Sequence, residues 1–544
     1  MSSKIKYNEH IDRYINKVKS GEIIVSQEVR LLIDYVQLKL DRDDVYIDGE
    51  EINEAIDNIE KYFPFKLLDW QKFITAFVVG VFYEDGSLVF NEFFIMMGRG
   101  AGKNGFIAAL SFYLISKQKI KNYDVGIVAT SESQAKTSFM DVWNVLDDNW
   151  KKLHKFFKKT LEIIGFYKTK SKLKYYTNNA RTKDGLRPGA IIFDEVHAYE
   201  SEDNIKVFTS ALGKVQRPRR FYITTDGYIR DGFLDQMKEE SSMLLKGEIK
   251  KSKLFPFICK LDDKEEVHDF RKWEKANPSI NHFPDLKEEM ETEYHNLEHR
   301  KSAKIEFMTK RMNVPSQDAY DLVAEWEKIK ATNQTMPDLK GVTCIGAIDY
   351  SDTKDFAAVG LLFKQGNKRY WKHHTFINQK SLDANNFKVD LERAKSEGLV
   401  TIIKDETNRP EHIADWFAEQ AKYYHIKLIT SDLYRINYLR EEFDKMGFNK
   451  LEIARSGTKT HTMLRPIIED LFAYENIIYG DDLMMRWYTN NVYIKRDAKE
   501  NITYEKIEPR LRKTDGFFAL LHALQFEEQL PKQVNIKPFK TMVF

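Results

Sequence analysis

The chain has little of what marks a secreted or membrane-spanning protein. Only two cysteines, Cys259 and Cys344, occur in 544 residues, too few for a disulfide framework or a cysteine-based metal site. The longest apolar runs, Phe73 to Tyr83 and Gly105 to Ile115, are shorter than the ~20 residues that cross a bilayer. The N-terminal letters MSSKIKYNEH lack the apolar core of a signal peptide. We therefore expect a cytosolic protein without a membrane partner.

An excess of charge of one sign is also missing, because 85 basic residues nearly cancel 83 acidic ones. Hydrophobic residues make up 42% of the chain, which argues against wholesale disorder. The length of 544 residues exceeds one hydrophobic core and predicts two domains. One segment, KKLHKFFKKTLEIIGFYKTKSKLK from Lys151 to Lys174, is strongly basic with interleaved aromatic residues. It is either a solvated lysine-rich face or a surface that meets phosphates.

Two series of short β-rich runs divide the chain. From Asn91 onward, FFIMMG, DVGIVATS, AIIFDE and RRFYITTDG alternate with helical patterns, which predicts a parallel sheet covered by helices. A second series begins at Val342 with VTCIGAIDYS and ends in the helical pattern TDGFFALLHAL. Polar helical patterns and proline turns lie between the two series. The expected organisation is an N-terminal helical segment (1–60), a first α/β domain (61–255), a helical linker (256–335), a second α/β domain (336–530) and a C-terminal tail (531–544).

The letters FFIMMGRGAGKNG place a glycine-rich turn between a strand and a helix. Backbone N–H groups at a helix start face an anion, and glycine allows close approach. Lys103 would reach the β- and γ-phosphates of ATP. The turn departs from the G-x-x-x-x-G-K-[ST] loop because Met97 replaces its first glycine and Asn104 replaces the magnesium-binding hydroxyl. The residues expected to bind ATP here are Gly98, Gly100, Ala101, Gly102, Lys103 and Asn104.

A second motif, GAIIFDEVHAYES, is an apolar strand that ends in Asp194 and Glu195. An acid at this position can hold the Mg²⁺ of ATP, directly or through water, and the next acid can orient the attacking water. Two acids after an apolar run are common by chance. Their order and spacing after the glycine-rich turn predict an ATP site, with Asp194 on the metal and Glu195 as the catalytic residue.

Three aspartates in the second half suggest a nuclease. Asp349 closes the strand TCIGAIDYS, Asp432 closes IKLITSD, and Asp515 opens the helix TDGFFALLHAL. An RNase H-like fold uses acids at such positions to hold two divalent ions roughly 3.5–4 Å apart, which activate water and stabilise the leaving oxygen. Carboxylates favour Mg²⁺ or Mn²⁺. Each aspartate judged alone would be a cap or a surface charge.

The residues around the glycine-rich turn and the acidic motif resemble those of a known family. LLDWQKF, GRGAGKN, VATSESQA, RTKDGLRPGAIIFDEVHAYES, YITTDGY and EKANPSI occur in the order found in the ATPase half of phage terminase large subunits, especially those of tailed phages with an HK97-like capsid. This resemblance implies that Gln71 reads adenine and that Arg99 belongs to the phosphate loop. It also implies a coupling role, from hydrolysis to movement, for Thr224, Thr225 and Asp226.

The second half resembles the nuclease of the same family through IGAIDYSDTKDFAAVGLLF, LITSDLYRINYL, GDDLMMRWYTNNVYIKRD and RKTDGFFALLHAL. The resemblance implies that Asp349, Asp432 and Asp515 are the catalytic metal ligands. Asp355 is either a further ligand or a turn residue, and Asp352 is expected to be a turn residue.

Taken over Leu67 to Gln529, the resemblance implies an α/β fold: a P-loop ATPase of the additional-strand type, a helical linker and an RNase H-like nuclease. Such a protein moves viral double-stranded DNA into a procapsid and cuts concatemeric DNA. The implied partners are viral DNA, the small terminase subunit and the portal protein. We expect a ring of five subunits on the procapsid portal and a monomer when free. The protein would work in the host cytoplasm and be absent from the mature virion.

Other classes fit parts of this pattern. A DNA helicase or repair ATPase would share the nucleotide motifs but would not require the three aspartates. An RNase H-like recombination nuclease would share the aspartates but not the phosphate loop. A binding protein with decayed sites is a third alternative, suggested by Asn104.

Overall fold

The computed structural model describes residues 7–177, 187–199, 202–230, 232–297, 301–315, 321–351, 356–385, 387, 389–405, 407–448, 450–497, 500–507 and 512–531. The chain divides into two compact units, Met1–Ser316 and Gln317–Phe544. Asp352, Asp355 and the tail from residue 532 lie outside the described residues. In the described part of the chain, no helix is long and apolar enough to cross a membrane.

The first unit contains the following helices and strands: α1 (Glu9–Ser20), α2 (Gln27–Leu40), β1 (Val45–Ile47), α3 (Gly49–Tyr62), α4 (Asp69–Val79), β2 (Val81–Tyr83), β3 (Glu92–Met96), α5 (Lys103–Ser116), β4 (Asp124–Ala129), α6 (Glu132–Asp148), α7 (Trp150–Leu153), β5 (Phe157–Lys159), β6 (Ile163–Phe166), β7 (Ser171–Thr177), β8 (Pro188–Asp194), α8 (Asp203–Thr209), β9 (Arg219–Thr224), α9 (Phe233–Leu245), β10 (Leu254–Ile258), α10 (Pro284–His295) and α11 (Lys301–Glu306). A π-helical turn, Phe307–Arg311, follows α11.

The main sheet of the first unit has the strand order β10-β3-β9-β8-β4-β7-β6-β5. The strands from β10 to β7 are parallel, whereas β6 and β5 are antiparallel. Strands β3 and β8 are almost entirely buried, as expected for parallel strands covered on both faces. Strand β9 lies between β3 and β8, so the predicted additional-strand order is confirmed. The carboxyl ends of these three strands meet at one edge of the sheet.

The basic segment from Lys151 to Lys174 contains α7 and the strands β5 to β7, for which the sequence analysis gave no assignment. Lys158 pairs with Gly165, and Gly165 pairs with Lys172. Directly paired residues share a face, so the two lysines flank a glycine on one side of this sheet edge. Both lysines are exposed, whereas Leu173 is buried in the core.

Residues 256–315, the first part of the expected linker, belong to the first compact unit. They form a hydrophobic cluster around Trp273, whose ring centroid lies 5.5 Å from that of Phe307. The indole Nε1 of Trp273 donates to Val267 O at 2.9 Å. Burial of these large side chains gives the segment a core of its own, which polar helical patterns alone did not predict.

The second unit contains the following helices and strands: β11 (Asp321–Leu322), α12 (Trp326–Lys330), β12 (Thr343–Asp349), β13 (Ala357–Gln365), β14 (Lys368–Asn378), α13 (Gln379–Ala384), α14 (Leu391–Ser396), β15 (Val400–Ile403), α15 (Pro410–Ala421), β16 (His425–Ser431), α16 (Ile436–Lys445), β17 (Leu451–Ile453), α17 (Thr458–Ala473), β18 (Ile477–Ile478), α18 (Leu483–Asn490), β19 (Val492–Arg496), β20 (Ile502–Lys506) and α19 (Asp515–Leu524).

Its main sheet has the order β15-β14-β13-β12-β16-β17. Strands β12, β13 and β14 are antiparallel neighbours, while β16 runs parallel to β12. Helix α19 is apolar on nearly every side and packs against β12 and β13. Three antiparallel strands followed by parallel ones, with a helix on the sheet, agree with the predicted nuclease fold.

Candidate nucleotide and nuclease sites

The glycine-rich turn after β3 is shaped by close backbone contacts. Gly98 N–H donates to Ala276 O at 2.8 Å. A Cβ atom on Gly98 would lie 2.2 Å from Arg311 O, so only glycine fits there. Gly102 has a φ of +85° and immediately precedes Lys103, the first residue of α5. The first N–H groups of a helix lack partners within the helix, so this end of α5 favours an anion.

Lys103 is buried at the start of α5, with its ammonium group held by the turn. Its Nζ donates to Met97 O at 2.8 Å and to Gly98 O at 3.2 Å. Burial lowers the pKa of Lys103 to about 8, although the charges of Glu195 and Asp194 oppose this effect. A buried cation with a lowered pKa gains stability when an anion approaches, which suits a phosphate.

The acids after β8 lie at the same sheet edge. Glu195 has a left-handed φ of +52°, and its Oε2 lies 3.0 Å from His197 Nδ1. Burial raises the pKa of Glu195, but the hydrogen bond with His197 and nearby positive charges outweigh it and hold the pKa at about 2. Burial and the charge of Glu195 raise the pKa of Asp194 to about 7. Glu195 is therefore the ionised acid of the pair over the neutral range.

Thr224 is the last residue of β9, and Thr225 and Asp226 follow it beside these acids. His197 N–H donates to Thr224 Oγ1 at 3.0 Å. Asp226 is buried, and its Oδ2 accepts from Lys238 Nζ at 3.0 Å while its Oδ1 accepts from Arg230 at 3.3 Å. A buried carboxylate needs such paired cations to offset desolvation. The strand end is therefore anchored by ion pairs on one side and contacts the acidic turn on the other.

Gln71 lies in the first turn of α4 and is buried. Its Oε1 accepts from Leu68 N–H at 2.8 Å. The neighbouring Trp70 Nε1 donates to Ser279 Oγ at 3.1 Å, and Ser279 Oγ donates to Ala101 O at 2.9 Å. The start of α4 is thus linked to the glycine-rich turn through one serine.

Arg99 and Asn104 lie on either side of Lys103. The Arg99 guanidinium group is half exposed and pairs with Glu306 at 2.7 Å. Gly100, next in the turn, has a φ of +89°. Asn104 is the second residue of α5 and is half-buried, so its side chain lies beside the start of the helix.

Two of the three aspartates of the second unit lie at neighbouring strand ends, and the third begins a helix on the same sheet. Strands β12 and β16 are in parallel register with Ile348 opposite Ser431, which places Asp349 and Asp432 side by side. Asp515 opens α19, which packs on both strands. His522 of that helix lies 2.8 Å from Ile348 O through its Nδ1, which fixes the helix against β12.

Asp432 and His522 influence each other at this edge. Burial raises the pKa of Asp432, whereas the charge of His522 and the N–H of Tyr434, 3.1 Å from its Oδ1, lower it. Burial lowers the pKa of His522, and its contact with Ile348 O and the charge of Asp432 oppose that shift. The strand end and α19 therefore interact electrostatically as well as by packing.

A buried hydrogen-bond chain lies beneath the acids. The Tyr488 hydroxyl is 2.9 Å from Thr375 Oγ1, which is 2.6 Å from His373 Nε2. His373 Nδ1 is 2.9 Å from Asp482 Oδ2. Burial, then the charge of Asp515, raise the pKa of Tyr488, so this hydroxyl stays neutral and lies within the electrostatic field of the site. These hydrogen bonds hold the GDDLMMRWYT segment, which contributes Asp482 and Tyr488, against β14, which contributes His373 and Thr375.

Among the residues that the structure describes, no three His, Cys, Asp or Glu side chains form a group that would hold one metal ion. Asp349 and Asp432 nevertheless lie on adjacent strand ends and are half-buried. Asp515 is buried at the start of the packed helix. The chemistry of these three side chains, all carboxylate oxygen donors, fits Mg²⁺ or Mn²⁺.

Comparison with protein families settles what these two units are. A family model described as the terminase large subunit, endonuclease domain, matches residues 248–528, more than half of the chain. A second model, the terminase large subunit, ATPase domain, matches residues 69–242. The chain belongs to the terminase large subunit family. The predicted fold class, family and two enzyme activities are confirmed: this terminase has an ATPase domain and an endonuclease domain and serves to package and cut DNA.

Individual relatives cover nearly the whole terminase. The terminase large subunits of Lactococcus phages SK1 and p2 are each 26% identical, over 94% of this chain and 98% of theirs. The crystal structure of the HK97 bacteriophage large terminase aligns at a TM-score of 0.48 and 17% identity. That alignment covers 87% of this chain and 99% of the HK97 chain.

Sequence reasoning missed several residues at the sites of this terminase. His197 contacts Glu195, and its only signal was its place two residues later in the letters DEVH. Lys310 donates to Asp226 O at 2.7 Å, although 84 residues separate them. His522 and Tyr488 are brought to the nuclease edge by packing. A single sequence holds no local pattern for such long-range contacts.

Proposed function

We propose that this terminase hydrolyses ATP at the edge where β3, β8 and β9 end, and cuts DNA at the edge where β12 and β16 end. The observation that supports the first site is the meeting of Lys103, Glu195 and Thr224 at the ends of three neighbouring strands. The observation that supports the second is the parallel register that sets Asp349 beside Asp432.

At the ATP site, the residues Gly98 to Asn104 surround the phosphates, and Lys103 binds the β- and γ-phosphates. Asp194 would hold the nucleotide's Mg²⁺, directly or through water, with Asn104 offering an amide oxygen. Bound there, the ion would offset the charge that develops on the phosphates. Glu195, kept ionised by its bond to His197, orients the attacking water. Gln71 reads the adenine base from the start of α4.

Hydrolysis is then coupled to DNA movement through Thr224, Thr225 and Asp226. Thr224 Oγ1 accepts from His197 N–H and donates to Thr225 O at 2.6 Å. A change at Glu195 therefore reaches the strand end through His197. The ion pair between Asp226 and Lys238 then connects the strand end to α9, because Lys238 belongs to that helix.

At the nuclease site, Asp349, Asp432 and Asp515 would hold two Mg²⁺ or Mn²⁺ ions. Bound there, the ions activate water and stabilise the leaving oxygen of a phosphodiester. Asp349 and Asp432 supply ligands from adjacent strand ends, and Asp515 supplies one from α19. His522 fixes α19 against β12, seven residues along the helix from Asp515.

The DNA partner would meet the terminase at the basic sheet edge formed by β5 to β7. Lys158 and Lys172 present two positive charges on one face, separated by Gly165. Neighbouring strands are about 4.8 Å apart, so the backbones of the two lysines are separated by roughly 10 Å, and their long side chains could reach separate phosphates. We further propose that the small terminase subunit and the portal protein are partners. A ring of five subunits would act on the procapsid portal in the host cytoplasm, while the free protein is monomeric.

The test of the two-site function is the Lys103→Ala variant. We expect ATP turnover to fall at least ~10²-fold, because the cation on the β- and γ-phosphates is lost. Metal-dependent plasmid cleavage should persist. Lys117→Ala, at the exposed end of the same helix, is the matched control and should keep full ATP turnover. Unchanged ATP turnover in Lys103→Ala would contradict the phosphate-loop assignment.

A further inference from the structure

A second buried lysine lies at the sheet edge where β3, β8 and β9 end. Lys310 belongs to the π-helical turn Phe307–Arg311 and is only 6% exposed. Its Nζ donates to Asp226 O at 2.7 Å and to Thr225 Oγ1 at 3.3 Å. Its backbone carbonyl accepts from Arg99 N–H at 2.7 Å. Lys310 therefore touches both the phosphate loop and the strand end after β9.

The turn that carries Lys310 is fixed by further bonds. Arg311 donates to Arg99 O at 3.1 Å, and its guanidinium group pairs with Glu293 at 2.7 Å. Asn313 accepts from Asp226 N–H at 2.8 Å and donates to Cys259 O at 2.7 Å. Such a set of long-range bonds positions the lysine independently of its own side-chain contacts.

The charges around Lys310 favour an anion. Burial lowers the pKa of Lys310 to about 8, and the positive charges of Arg99 and Lys103 contribute, while Glu195 and Asp226 oppose. The Lys103 pKa is likewise lowered to about 8, chiefly by burial. Two buried ammonium groups that repel each other are both stabilised when a phosphate brings negative charge between them.

The surroundings of Lys310 include open space. A cavity of about 240 Å³ adjoins Lys310 and is lined by Arg99, Glu306 and Phe307 among others. The Lys310 ammonium group also lies 5.3 Å from the ring centroid of Tyr228, which is partly exposed. Lys310 therefore borders an open volume as well as the residues that hold its ammonium group.

We propose that Lys310 is a γ-phosphate sensor supplied within the same chain. In the ATP state its ammonium group binds the γ-phosphate together with Lys103 and releases Thr225 and Asp226. In the ADP state it returns to the strand end, where the structure has it. This inference rests on the proposed ATP site. It adds a direct connection from the phosphate to the coupling residues, separate from the route through His197.

The experiment compares binding of a non-hydrolysable ATP analogue and of ADP to the full-length chain in Mg²⁺. The Lys310→Gln variant keeps a hydrogen-bond donor for Thr225 and Asp226 but loses the charge. We expect its affinity for the ATP analogue to fall at least ~10-fold, because a charge-assisted bond to phosphate is lost. Its affinity for ADP should change less than ~2-fold. A residue that only supports the fold would affect both nucleotides equally.

Two further variants control the result. Lys310→Arg keeps the charge, so its preference for the analogue over ADP should stay within ~2-fold of the wild type. Lys304→Gln, exposed on α11, should leave both affinities unchanged. Melting temperatures show whether each variant folds. Equal losses for both nucleotides in Lys310→Gln, or no loss for either, would overturn the sensor. So would loss of the preference in folded Lys310→Arg. Wild-type protein that binds neither nucleotide would overturn the ATP site itself.

Discussion

Two sheet edges can be compared: the ATPase edge, where β3, β8 and β9 end, and the nuclease edge, where β12 and β16 end. They are built alike, but their charged side chains are held in place differently. In both units, charged residues follow the ends of neighbouring parallel strands. At the ATPase edge, the acids already have partners within the protein: Glu195 Oε2 lies 3.0 Å from His197 Nδ1, and Asp226 forms an ion pair with Lys238. At the nuclease edge, Asp349 and Asp432 lie at neighbouring strand ends, yet no three His, Cys, Asp or Glu side chains of the described residues form a metal-holding group.

This difference has a physical cause. A triphosphate brings its own negative charge, so its site must present cations, and buried cations need acids nearby to be stable. A two-metal site must present several carboxylates, which repel one another until cations arrive. We therefore expect the ATPase edge to keep its geometry without ligand. The nuclease edge should gather its side chains only around metal ions.

The largest expected effect comes from Asp432→Asn. The substitution is nearly isosteric, so the fold should persist, but one ligand charge is lost and two ions are no longer held together. Several kcal/mol of charge stabilisation correspond to a loss of plasmid cleavage of ~10³-fold or more. ATP turnover should be unchanged. Asp444→Asn, exposed on α16, is the matched control. Folded Asp432→Asn that still linearises plasmid in Mn²⁺ would falsify the three-aspartate site.

Glu195→Gln should have the next largest effect, on the other edge. We expect ATP to bind normally and to turn over at least ~10²-fold more slowly, the scale typical of losing a group that activates water. Nucleotide affinity and single-turnover hydrolysis measure the two steps separately. If the folded variant fails to bind ATP, Glu195 acts in binding, and its assignment as the water-orienting residue is wrong.

The smallest effect is expected at the basic sheet edge. The double variant Lys158→Gln with Lys172→Gln removes two phosphate contacts, so the slope of log affinity against log salt should fall by about 2. ATP turnover without DNA should not change. Lys61→Gln with Lys246→Gln, two exposed lysines of the same unit, is the control pair. An unaltered salt slope would show that the basic segment is a solvated face.

The sequence predicted the strands and the acids that end them, because both signals are local. Apolar runs such as AIIFDE fix β8 and place Asp194 at its end, and TCIGAID does the same for β12 and Asp349. The order of the motifs was then enough for the family resemblance. The hairpin strands β5 and β6 were missed because lysine-rich letters have weak strand propensity.

The roles of residues that act through long-range contacts could not be predicted from the sequence. Lys310 lies in a stretch that looked like a polar linker, and its place at the nucleotide edge depends on packing around Trp273. The position of Asp515 depends on the packing of α19, which His522 fixes against β12. Asp355, expected as a ligand or a turn residue, lies outside the described residues. Tertiary contacts of this kind produce no periodic pattern or characteristic spacing in a single amino-acid sequence.

The most direct test of the difference between the two edges is a crystal structure of the full chain with Mn²⁺, located by anomalous scattering. We expect two Mn²⁺ peaks roughly 3.5–4 Å apart, bound by Asp349, Asp432 and Asp515. We also expect Lys103 to keep its bonds to the carbonyls of Met97 and Gly98 when no nucleotide is bound. Peaks held by other residues, or the three aspartates still apart in saturating Mn²⁺, would contradict a nuclease edge that assembles around metal.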